Sequence, residues 1–473
     1  MTLVNILVFS LFVFLVAWLA PATWRGWLIL GSSIIAIYWM QPEMPIRNLD
    51  FWLPSASIAL TISTWAITQS SGEGAKIITR ITILVIFAIL LAIGLTRYLG
   101  PLCCITPTIP PQIPQVLLGL ALIIAFALLL YIASRKRSLD LLMILLIIGL
   151  FIITKSSVLA RGASAGLRIA NGQNPLLADA RDIRWLGFSY LALRLIHALR
   201  DHQAGRLPEY SLNEFVTYAI FFPAYTAGPI DRSQHFIQEL RDRPKIDFMR
   251  MAKGSQRILI GVFKKFVIAD SLALISLSSQ NAVQTISTLW TWVLLYAFAL
   301  QIYFDFSGYT DIALGMGELL GIRLPENFTA PYLKTNLTAF WNSWHITLAQ
   351  WFRAYFFNPF TRAVRASPKK FPSWLIILLG QFGTMILIGL WHGFTLNFIA
   401  WGCWHAFGLF IHNRWSEWTR PRYSNLQGRP RARRMLAFGG WFITFNYVSL
   451  GWVWFALPTL SDSVAVFHKL FGF

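Results

Sequence analysis

Charge is the scarcest property of this sequence. Of its 473 residues only 13% are Asp, Glu, Lys or Arg, about half the roughly 25% of a soluble domain. Acidic residues are scarcer still: 20 against 40 Lys and Arg, a formal net charge of +20. Cysteine is nearly absent. Cys103 and Cys104 are neighbours and Cys403 is remote, so neither a disulfide framework nor a CxxC metal pair can be written. No basic segment precedes the first apolar run, and the first cation is Arg25. A cleaved signal peptide is therefore not expected, and the run reads as a retained first helix. What abounds is apolar: 56% of residues are hydrophobic and mean hydropathy is +0.57. The apolar residues arrive in long runs, which excludes collagen-like, disordered and disulfide-rich chains.

A membrane-crossing helix needs about 20 mainly apolar residues. Candidate stretches lie near residues 3–20, 26–40, 51–68, 78–97, 114–134 and 138–154. Others lie near 184–198, 211–229, 256–278, 286–304, 373–391, 394–412 and 436–456. The expected fold is all-α, a polytopic integral protein crossing the plasma membrane with about 11 to 13 helices. The stretch 156–182 mixes Gly, Ser, Asn, Asp and Arg and reads as a loop, in part helical. The early spans are clean and the later ones carry polar residues. That contrast predicts peripheral helices over 1–155, a loop over 156–183, a working core over 184–415, and a basic loop with C-terminal helices over 416–473. No fixed-period repeat is visible, which speaks against an inverted-repeat transporter.

The basic residues gather in short connections: Arg135–Lys136–Arg137, Arg241 to Lys265, Lys369–Lys370, and Arg420 to Arg434. Each cluster abuts an apolar segment. Nucleic-acid binding is therefore not expected, and the positive-inside rule accounts for the charge. It orients Arg25, Arg135–Arg137, Arg241–Lys265 and Arg420–Arg434 toward the cytoplasm, with the amino terminus outside. Such a face would also attract a phosphate-bearing molecule.

Ionisable residues at membrane depth are costly and mark functional sites by default. The densest such region runs from Gln301 to Phe360. Asp305 and Asp311 interrupt an aromatic and aliphatic stretch, and Pro325-Glu326-Asn327 breaks any helix. Asn336, Asn342, His345, Gln350 and Arg353 then punctuate an aromatic segment too polar to face lipid. The segment 334–360 is expected to be re-entrant or to lie in the interface. A second focus is Gly389-Leu390-Trp391-His392-Gly393, at the end of the apolar run from Trp374. Its glycines leave room beside the imidazole. Asn397, His405 and His412 follow on the next span, where a lone histidine is usually a neutral, buried structural residue.

These segments carry a resemblance. YFDFSGYTD at 303–311, RLPENF at 323–328, FWNSWHITLAQWFRAY at 340–355, GLWHG at 389–393 and WGCWHAF at 401–407 resemble the membrane-bound O-acyltransferases (MBOAT). The nearest branch holds the alginate O-acetyltransferases and teichoic acid D-alanyltransferases. FFPAYTAGPIDR at 221–232 and GVFKKFVIAD at 261–270 resemble the same branch. The resemblance covers roughly 184–412, and the first 150 residues share only the apolar character. Two departures stand out. The alginate branch has two arginines where this chain has Asn342 and Ser343, and an Asp where it has Ala354. The second removes an ion-pair partner from Arg353, so donor handling or acceptor choice is expected to differ.

The resemblance implies re-entrant segments around a central tunnel, an acyl thioester donor and a hydroxyl acceptor. His392 corresponds to the family's catalytic histidine and His345 to the second histidine of the funnel. Asp305, Asp311, Asn342, Trp391 and Arg353 are expected along the tunnel. No bound cofactor or metal is implied. The co-substrate would be acetyl-CoA or a phosphopantetheine carrier protein reaching the cytoplasmic side. The acceptor would be a hydroxyl of a cell-envelope glycan or a lipid, with membrane lipid and an envelope partner acyltransferase as companions. A free hydroxyl is a poor nucleophile, and a histidine base suits it. There is no GxSxG elbow with a triad and no HExxH pair, and Cys403 reads as a small core residue rather than an acyl carrier. D-alanyl transfer to a teichoic-acid-like polymer, and a non-enzymatic transporter of glycan or lipid, remain as alternatives.

Overall fold

The computed structural model describes residues 2–69, 75–100, 103–133, 138–242, 246–424 and 429–472. Arg135–Lys136–Arg137, Arg243 and part of the basic run Arg420–Arg434 lie outside the described residues. Among the described residues the chain is helical, with no strand. It divides into two compact units, one of residues 1–260 and 310–325, the other of residues 261–309 and 326–473.

Among the described residues five helices are long and apolar enough to cross a membrane: Ile77–Tyr98, Ile113–Ala133, Ser138–Lys155, Thr288–Leu320 and Ser373–His392. Leu3–Leu19 is apolar but shorter. Others of the expected stretches form helices that are shorter or mixed with polar residues. Leu49–Thr68 carries Asp50 and a series of hydroxyls, and Phe188–Gln203 carries Arg194, Arg200 and Asp201. The stretch read as a loop contains the helix Ser157–Ala170.

The first unit shows how a polar helix is buried. In Leu49–Thr68 the hydroxyls of Ser55, Thr61 and Thr68 donate to the carbonyls of Phe51, Ser57 and Thr64 at 2.8, 2.8 and 2.9 Å. A hydroxyl that bonds back one turn presents a methyl-like surface outward. Ser57 also accepts from Trp185 Nε1 at 2.9 Å and Tyr225 Oη at 3.0 Å. Arg194 is 2% exposed, and its guanidinium donates to the carbonyls of Ala219 and Ala224 at 2.9 and 2.8 Å. The Asp231 carboxylate of the GPIDR stretch accepts from His235 Nδ1 at 2.8 Å.

In the same unit, residues from Phe248 onward pack against 310–320 through two glycines. A Cβ on Gly315 would lie 2.6 Å from the Gly254 carbonyl oxygen, so only glycine permits the crossing. Ion pairs flank it: Arg250 Nε to Glu318 Oε1 at 2.8 Å and Arg257 to Asp311 at 3.0 Å. Cys103 and Cys104 have their sulfurs in contact in the loop before Ile113–Ala133.

The second unit holds the π-helical turn Phe263–Ala269, most of Thr288–Leu320, and a chain of short helices. Those are Leu337–Trp341, Ile346–Phe352, the π-helical Arg353–Phe357 and Asn358–Ala366. The stretch from 334 to 360 is thus broken at Asn342–His345 rather than running as one lipid-facing rod. Beyond it, Ser373–His392 and Leu396–Ser424 form a hairpin, followed by Pro430–Ala456 and Leu460–Phe471.

Candidate active site

The hairpin fixes His392. Its helices approach at glycines: a Cβ on Gly389 would run into the Phe398 carbonyl oxygen, and one on Gly402 would lie 2.7 Å from the Met385 carbonyl oxygen. Asn397, 3% exposed, anchors the start of the second helix by donating to the carbonyls of Leu457 and Thr459 at 2.7 and 3.1 Å. His392 is the last residue of its helix, and Gly393 follows in an extended conformation. The half-buried imidazole is walled by rings. Trp391 and Phe455 lie at 4.9 Å between centroids, Trp401 at 5.8 Å and Phe398 at 5.9 Å.

His345 is set differently. Its φ is 42°, in the left-handed region, between the short helices Leu337–Trp341 and Ile346–Phe352. Histidine visits that region more readily than most residues, yet such a conformation persists only where its surroundings enforce it. Asn327 of RLPENF supplies the enforcement. Its carbonyl accepts from the Ile346 amide at 3.0 Å, and its side chain accepts from Thr347 Oγ1 at 2.6 Å. The Thr329 amide donates to the Ser343 carbonyl at 3.1 Å. The His345 ring is 4% exposed and stacks edge-on against Phe306 at 4.6 Å and Trp391 at 6.1 Å. Trp391 therefore touches both imidazoles, and the structure brings His345, Trp391 and His392 together.

The other expected residues fall into pairs. Asn342 accepts from the Arg353 guanidinium at 2.7 Å, so the amide takes the place of the carboxylate that Ala354 does not provide. Asp305 forms an ion pair with Lys265 of the π-helical turn, and its side chain is 49% exposed. Asp311 belongs to the first unit, where Arg257 holds it. Both aspartates thus have a packing role that the sequence did not disclose.

Three residues gain contacts that the sequence did not disclose. Asn327 looked like a helix breaker and is a clamp. Trp401 is 1% exposed and contacts both His392 and His405, the latter at 5.0 Å. His405 is fully buried between Trp401 and Trp341, whose ring lies 5.1 Å away. Neither of its ring nitrogens has a hydrogen-bond partner among the described residues. The WGCWHAF spacing was the available signal, since residues four apart share a helix face. Among the described residues no group of three or more His, Cys, Asp or Glu is arranged to hold a metal.

Two histidines thus share one buried indole inside a helical membrane chain. Residues 51–450 match the membrane-bound O-acyltransferase family. The chain belongs to this family. It is a multi-pass membrane protein, as the apolar helices require. It is 32% identical over 269 residues to a peptidoglycan O-acetyltransferase of Helicobacter pylori, covering 56% of this chain and 48% of that protein. It is 33% identical over 290 residues to a probable alginate O-acetylase of Pseudomonas aeruginosa, covering 61% and 52%. A teichoic acid D-alanyltransferase of Streptococcus thermophilus is 31% identical over 285 residues, covering 58% and 68%. The chain spans about half the length of the first two relatives.

Proposed function

We propose that this MBOAT protein transfers an acyl group, acetyl in the first reading, from a thioester donor to a hydroxyl of a cell-envelope glycan at the plasma membrane. The observation that carries the reading is His392, closing an apolar helix against aromatic walls and sharing Trp391 with His345. His392 is half-buried among these rings, and a neutral imidazole can take the proton of a substrate hydroxyl. In the proposed step the acceptor oxygen attacks the thioester carbonyl carbon while His392 takes its proton. The tetrahedral oxyanion collapses, the C–S bond breaks, and the leaving thiolate recovers the proton from the imidazolium. Hydrogen-bond donors around the carbonyl oxygen would stabilise that oxyanion. His345 orients the donor side, held by Asn327.

The donor, acetyl-CoA or a phosphopantetheine carrier protein, would arrive from the basic face, which the positive-inside rule assigns to the cytoplasm. Residues 184–415 would form the catalytic core, with 1–155 peripheral and 416–473 completing the basic face. The Streptococcus relative, matched over 68% of its own length, favours a second reading, D-alanyl transfer to a teichoic-acid-like polymer. Membranes containing the protein are incubated with labelled acyl thioester, and envelope glycans of a deletion strain and its parent are compared by mass. Thioester-dependent labelling and an acyl mass missing from the deletion strain support the proposal, and the mass separates acetyl from D-alanyl. Glycan movement across the membrane without labelling refutes it in favour of a transporter.

A further inference from the structure

The first unit holds a cavity of about 490 Å³ that the acyl-transfer reading does not use. It lies among Leu49–Thr68, Ala75–Leu95 and Ile113–Ala133, the last two apolar enough to cross a membrane. Its body is lined by Ile62, Ile83, Phe87, Leu120 and Ile124. Polar lining residues gather at one end. Gln69 caps the first helix, Arg80 lies early in the second, and Tyr131 lies late in the third. Successive helices in the order down, up and down bring those three positions to one level. The apolar lining then continues to Ile58, Leu90 and Leu120, about 11 residues or 16 Å along each helix, roughly one leaflet's share of a 30 Å hydrocarbon core.

We infer that this cavity binds one acyl chain of an anionic glycerophospholipid, with the head group at Arg80. Three observations point to that occupant. The body of the cavity is lined by aliphatic and aromatic side chains, which offer water few hydrogen-bond partners and an acyl chain many contacts. The polar-to-apolar gradient runs along the helices, as a lipid's does along the bilayer normal. Arg80 is exposed and is the one charged side chain among the cavity's described lining residues, a cation suited to a phosphate. A second acyl chain would lie outside, against the exposed Leu118 and Leu122 of Ile113–Ala133.

The test uses the full chain in nanodiscs of phosphatidylethanolamine and phosphatidylglycerol. One arm counts phospholipids retained on release into the mass spectrometer. The other photolyses trace phosphatidylglycerol bearing a diazirine midway along its acyl chain and maps the adducts. One phosphatidylglycerol should remain per chain, with adducts concentrated on Ile62, Ile83, Phe87 and Ile124 rather than on the openly exposed Leu142 and Leu145. The double change Ile83→Trp and Ile124→Trp, which fills the cavity, should remove both signals. Arg80→Gln should keep the adducts while lowering the preference for the anionic head about fivefold, one surface cation's share of the attraction. Uniform adducts along the lipid-exposed leucines, or retention unchanged in the filled variant, overturn the inference. If the filled variant does not fold, an Arg80→Gln protein that keeps its full anionic preference overturns it equally. Neither arm depends on acyl transfer.

Discussion

The hairpin that holds His392 can be tested by adding one methyl group. In Gly402→Ala the new Cβ would sit 2.7 Å from the Met385 carbonyl oxygen and 2.9 Å from Ile386 Cα, where ordinary contact begins at 3.4 Å. Both neighbours are backbone within Ser373–His392, so no side chain can swing aside, and the two helices must part by about 0.7 Å. Overpacking of this kind costs about 1–3 kcal/mol. The displacement also moves Trp401 against His392, and misplacing reacting groups by about 1 Å can slow a reaction on the order of 10²-fold. Gly439→Ala is the control, because nothing lies within 4 Å of its Cβ and alanine is favoured in a helix by about 1 kcal/mol. Thermal unfolding of purified protein, followed by acyl transfer in reconstituted membranes, should show Gly402→Ala melting lower and transferring more slowly, with Gly439→Ala unchanged or higher. If the two variants melt and transfer alike, the helices do not pack as described.

Asp311→Asn should destabilise the protein by about 1–3 kcal/mol, because it weakens a charged hydrogen bond to Arg257 at a side chain only 12% exposed. Asp305→Asn, at a side chain 49% exposed, should cost under about 1 kcal/mol, and equal melting shifts would contradict the difference in burial. His405→Phe should be neutral or stabilising by about 1–3 kcal/mol, since the phenyl ring keeps the packing and removes two ring nitrogens without partners; a large drop in melting temperature would reveal a hydrogen bond there. His235 lies outside the spans, and its hydrogen bond to Asp231 raises its pKa above the ordinary 6.5. That contact therefore stabilises fully below pH 6.5 and fades as pH rises through the raised value. The pH dependence of melting in this window should be weaker in Asp231→Asn than in the parent, and an unchanged slope would assign it elsewhere.

The sequence made the helical membrane class and the two histidine motifs legible, because apolar runs and short motifs are local signals. Burial among polar helices was not legible. Leu49–Thr68 hides its hydroxyls by bonding back one turn, and Arg194 hides its charge on two carbonyls. Neither partner choice is written in composition. Asp305 and Asp311 read as tunnel residues because the resemblance placed them there and an acid at membrane depth marks a functional site by default. The partners, Lys265 and Arg257, lie some 40 and 54 positions away and meet them only through tertiary packing. The break at Asn342–His345 was foreseeable from its aromatic and polar mixture, whereas the clamp of Asn327 on Thr347, 20 positions apart, was not. Trp401 and His405 were visible as a motif, but their contact with His392 depends on the hairpin's glycine crossing.

The proposed chemistry rests on His392, and His392→Gln tests it most directly. Glutamine can keep a hydrogen bond and fill much of the space between Trp391, Trp401 and Phe455, but it cannot take a proton at neutral pH. The account predicts a variant that inserts, purifies and melts as the parent does while losing acyl transfer by about 10² or more, the contribution of a positioned general base. A well-folded His392→Gln protein that still transfers the acyl group at a rate near the parent's contradicts the assignment.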